Sequence, residues 1–131
     1  MKSAAIFLLI TGCLWLGASI FLALAIASLV GGAPTIVGWE DYVYVCGLIG
    51  GPLALIAGSA MVLRSSSRTG ALLAALACLD LTAWAAVNIR RGHIESLTPM
   101  LLGFYAVPLL FSLLADFAAY RICRRVFSDS D

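Results

Sequence analysis

Along the chain, apolar positions gather into four long runs separated by short polar stretches. The first uncharged run extends from Ser3 to Trp39 and is interrupted by Gly31-Gly32-Ala33-Pro34. Glycine and proline so clustered end a helix, so the pattern predicts a first helix over about residues 4–30. At 1.5 Å per residue it would be about 40 Å long, against a hydrocarbon layer of about 30 Å, and must tilt or project. The second run covers about residues 42–63, with Trp39, Tyr42 and Tyr44 placed as an interfacial aromatic belt. Arg64-Ser65-Ser66-Ser67-Arg68 makes a tight polar turn, and a third run covers about residues 69–89 as far as Arg90-Arg91. The connector Gly92-His93-Ile94-Glu95 leads to a fourth run, about residues 96–120, opened by Thr98-Pro99, where proline in a first helical turn is tolerated. About 20 apolar residues suffice to cross a bilayer. The expected fold is therefore all-α: an integral membrane four-helix bundle, one transmembrane domain over residues 1–131, with short loops.

Composition agrees with the pattern. The chain is 63% hydrophobic and 11% charged, whereas a soluble domain needs about 25% charged residues to cover its surface. A net charge of +1 excludes a nucleic-acid footprint, and 131 residues leave no room for a soluble enzyme module beside four spans. The few basic residues read as topology signals. Lys2, Arg64, Arg68, Arg121, Arg124 and Arg125 fall at one set of span ends, and only Arg90 and Arg91 at the other. The positive-inside rule then places both termini in the cytoplasm, in a plasma (inner) membrane. The outer side would hold Glu40, Asp41 and Glu95 with Arg90 and Arg91, a solvated cluster of little energetic weight.

Cys13, Cys46, Cys78 and Cys123 are scattered singly, without a CxxC pair, so no disulfide and no metal site is expected. The paired cysteines of a membrane disulfide catalyst and the first-span glutamate of a small multidrug transporter are both missing. Ile10-Thr11-Gly12-Cys13 has the look of a lipoprotein processing box, but apolar Leu14-Trp15-Leu16 follows where a polar tether belongs, so the first span is read as retained. His93 is the single histidine and sits in a connector, which rules out a His–His haem pair from this chain. No cofactor is expected. No nucleophile–base set can be assembled, so the reading leans away from an enzyme.

Candidate chemistry centres on Asp80, almost at the midpoint of the third span. An ionised aspartate there costs about 2.5–3.5 kcal/mol on insertion scales, so an uncharged Asp80 turned into the bundle or a partner interface is expected. Helical spacing places Ala77, Asp80, Trp84 and Asn88 on one stripe. That stripe is either a proton or cation path or a hydrogen-bonded docking face. In the fourth span, Pro108 would free the carbonyl of Phe104, and Tyr105 offers a hydroxyl, both at the depth of Asp80. Asp116, five residues before Arg121, is expected near the inner interface, paired with Arg64 or Arg68 and well separated in depth from Asp80; Ser112 and Tyr120 share its face. In the second span Gly47, Gly51, Ala54 and Gly58 form a small-residue ridge for close helix contact, and Pro52 should kink the span and leave a carbonyl one turn earlier without its usual donor.

The function most consistent with these residues is that of a non-catalytic subunit or stabilising partner of a larger membrane complex. The alternative is a small oligomeric proton- or ion-coupled transporter or channel using Asp80. The partners expected are the lipid bilayer and either another membrane protein or further copies of this chain.

Overall fold

The computed structural model describes residues 1–30, 38–39, 42, 45–91 and 99–129, and among them the backbone alone of 26, 27, 29, 30, 91 and 99–105. Four helices account for nearly all of it: α1 (Lys2–Val30), α2 (Cys46–Ser65), α3 (Arg68–Arg91) and α4 (Pro99–Ser128). Each contains a stretch long and apolar enough to cross a membrane. The expected outer cluster of Glu40, Asp41 and Glu95, together with His93, lies outside the described residues.

Pro52 leaves its mark on α2. The first five residues, Cys46–Gly50, form a π-helical turn, and the α-helical part begins at Gly51. The Gly51 N–H reaches back five residues to the Cys46 carbonyl, and Pro52 falls in the first turn of the α-helical segment, where its missing N–H is least costly. The turn after α2 is equally local in origin. Ser66 takes the left-handed conformation that closes a helix (φ 48°), its N–H bonding to Val62 O at 3.0 Å. Ser67 then caps α3, its hydroxyl accepting from the Gly70 N–H at 3.2 Å. Two residues thus reverse the chain.

The helices pack in a ring in which α1 meets α2, α2 meets α3 and α3 meets α4, with α4 closing loosely on α1. Each contributes one large, fully buried side chain to the shared core: Leu8, Leu55, Leu81 and Ile122. The basic ends collect together. The Arg68 guanidinium lies 5.6 Å from the centroid of the Phe127 ring, and Arg121 and Arg125 border Met1 and Ser3. The last helix also runs past Tyr120 to Ser128, through the arginines expected to end it.

Candidate functional site

The glycine ridge of α2 lies against α3. A Cβ at Gly47 would collide with the Cβ and indole of Trp84, and one at Gly51 would stand 2.7 Å from Asp80 Oδ2. At Gly58 the obstacle is backbone itself, Ala74 N at 2.7 Å and Gly70 O at 2.8 Å. Ala54, between them, is partly buried against the core. The two helices therefore meet with almost no side-chain layer near the turn, and with Asp80 and Trp84 filling the space that glycines leave further along. Asp80 is directed at α2, and it is half-buried there rather than aimed at Pro108 of α4. Ala77 and Trp84 on its stripe are buried, and Asn88 is half-buried one turn beyond. The side chains of Phe104 and Tyr105 lie outside the described residues.

Asp116 is placed differently from the sequence expectation. Its Oδ2 accepts a hydrogen bond of 2.7 Å from the Thr82 hydroxyl of α3, and neither Arg64 nor Arg68 is its partner; Arg68 covers Phe127 instead. The reason is the length of α4. Asp116 stands 12 residues before Ser128, so about 18 Å of helix separates it from that end. Thr82 is two residues beyond Asp80, about 3 Å along the axis, so the two carboxylates occupy nearly one level on opposite sides of α3. Asp116 Oδ1 is buried and accepts no hydrogen bond among the described residues. Ser112 shares the inward face of α4 and is fully buried, whereas Tyr120 is exposed. Cys123 adds a second tie, its thiol donating to the Ala71 carbonyl at 3.5 Å. A side-chain hydrogen bond between membrane helices contributes about 0.6 kcal/mol on average and up to about 1.7.

The remaining feature is a groove between α1 and α4. It is an open groove of about 520 Å³, walled by Trp15, Leu22, Leu48, Trp84, Pro108 and Phe111, with Leu14 and Phe21 exposed beside it. Trp15 and Trp84 meet edge to face at its base, ring centroids 5.2 Å apart and planes at 78°. Thr11 also borders it, but its hydroxyl donates to its own helix at Phe7 O, 2.8 Å away.

Comparison with family models, with curated proteins and with solved structures finds no match for this chain. The site must be read from its own residues. Two of them, Thr82 and Trp15, had no signal in the sequence. A threonine two positions from Asp80 falls on the opposite face of the helix, and nothing local to Trp15 says that α1 will bring it to Trp84. No group of three or more potential metal ligands occurs among the described residues.

Proposed function

We propose that this chain is a non-catalytic subunit or stabilising partner of a larger membrane assembly. The observation that supports this reading is that both intramembrane carboxylates face neighbouring helices of the same bundle, Asp80 against Gly51 and Asp116 bonded to Thr82. Polar groups so engaged tie helices together, and what the molecule then offers outward over most of its length is apolar helix surface. Purification in a mild detergent tests the reading. A larger membrane protein at fixed stoichiometry is the expected result; a self-contained dimer that dissipates an ion gradient in liposomes would overturn it.

One observation favours a second reading, a small oligomeric proton- or ion-coupled transporter. Asp116 Oδ1 is buried in the bilayer region with no donor among the described residues, and Asp80 lies at almost the same level. Two acids a few ångströms apart in depth are suited to hand on a proton if α3 can rotate or admit water.

A further inference from the structure

We infer that the recess between the start of α1 and the arginine pair of α4 holds the phosphate of an anionic phospholipid, in the leaflet that meets this end of the bundle. Met1, Ser3 and Ala4 line it from one side, and Arg121, Ile122 and Arg125 from the other. Its volume of about 40 Å³ is room for a few oxygen-sized groups, each needing about 10–15 Å³.

Three sources of positive potential converge there: the end of α1 and the two guanidinium groups. The first amide of α1 to bond back along the chain is that of Ala5, to Met1 O at 3.1 Å. The N–H groups of Ser3 and Ala4 therefore have no carbonyl within the helix, and no acidic residue stands in the first turn to answer them. Arg121 and Arg125 are four residues apart, so they share a face of α4 and repel one another. Neither is ion-paired among the described residues, and Asp129, a turn beyond Arg125, is not part of the lining. One anion between the two helices answers all three, and guanidinium forks match the spacing of phosphate oxygens.

The surroundings select a lipid as the source of that phosphate. Lys2 stands directly before the apolar run of α1, and Arg121 directly follows Phe117-Ala118-Ala119-Tyr120 of α4. A bilayer crossed by these helices sets its headgroups at that level. Beside the recess Ile6 and Ile10 of α1 and Phe117 and Tyr120 of α4 are exposed, an apolar flank for acyl chains that a free anion would not use. Lys2, Arg64, Arg68 and Arg124 stand at the same end, so a headgroup of net negative charge is favoured, whereas choline would bring a further cation. The inference rests on the helices crossing a bilayer, and holds for a subunit and a transporter alike.

Native mass spectrometry of the full chain in mild detergent, with phosphatidylglycerol and phosphatidylcholine at equal mole fraction, tests it. One retained phosphatidylglycerol per chain is expected. Arg121→Gln with Arg125→Gln should lower the preference for it by a factor on the order of 25, about fivefold for each arginine. Arg64→Gln with Arg124→Gln removes the same charge from the same end, outside the recess, and should change it far less. Should the recess double variant misfold, Arg125→Gln alone should still show a loss of about fivefold. Equal losses from the two pairs would overturn the inference, as the mark of a diffuse surface charge. So would equal retention of phosphatidylcholine, or displacement of the lipid by inorganic phosphate. A chain that alkaline carbonate strips from membranes would overturn it at its premise, the crossing of the bilayer.

Discussion

Asp80 and Asp116 illustrate how one residue type takes two roles according to what stands opposite. Asp80 occupies room left by Gly51, so its size matters as much as its acidity. Asp80→Asn keeps shape and hydrogen-bonding capacity and should leave the thermal unfolding midpoint in detergent close to that of the parent. Asp80→Leu forces a branched side chain against Gly51 and Leu81 and should cost about 1–3 kcal/mol. If Asp80 instead carries protons, the folded Asn variant should lose all pH-dependent flux. Infrared spectroscopy at pH 7 should find the protonated-carboxyl band, and its absence would remove the uncharged-Asp80 picture. For Asp116 the informative change is at its partner. Thr82→Val removes the donor and leaves neither carboxyl oxygen with a hydrogen bond among the described residues, at a cost of about 1–3 kcal/mol, while Thr82→Ser restores the bond. A Val variant that melts with the parent would mean that the 2.7 Å contact contributes nothing.

Among helices, the contrast lies in what each glycine of α2 touches. The obstacle at Gly51 is the end of a side chain, which can swing aside; at Gly58 it is the backbone of α3, which cannot. Gly58→Ala should therefore destabilise by about 1–3 kcal/mol, although alanine is the better helix former by about 1 kcal/mol. Gly51→Ala should be milder. Gly17 of α1 has no atom within 4 Å of a Cβ position, so Gly17→Ala should gain up to about 1 kcal/mol from propensity alone. Melting temperatures in one detergent order the three. If Gly58→Ala is as stable as Gly17→Ala, α2 and α3 do not approach as closely as described. The π-turn before Pro52 belongs here too, since it supplies a backbone arrangement compatible with the missing N–H without ending the span.

Taken as a whole, the molecule gathers six of its eight basic residues at one end, where the start of α1, the α2–α3 turn and the end of α4 converge, and leaves Arg90 and Arg91 at the far end of α3. That asymmetry predicts a cytoplasmic location for both termini. Cys123 is a poor reporter of it, being half-buried with its thiol bonded to Ala71 O. Ser128→Cys in a cysteine-free background is better, because Ser128 is exposed at the end of α4. An impermeant thiol reagent should label it only after the membrane is opened. Labelling in intact cells would invert the topology.

The four long apolar helices, the tight turn after α2 and the interruption at Pro52 were legible in the sequence because apolar length and helix breakers act locally along the chain. The ends were less so: α4 continues through Arg121, Arg124 and Arg125, since long arginine side chains let a helix leave the apolar layer without stopping. The stripe of Asp80 and Trp84 and the ridge of Gly47, Gly51 and Gly58 could each be drawn from helical periodicity. That the one meets the other could not. Nor could the bond from Thr82 to Asp116, the meeting of Trp15 with Trp84, or the groove above them. These depend on the rotation and register of one helix against another, which only the packing of all four together decides, because each apolar face alone is equally content in lipid.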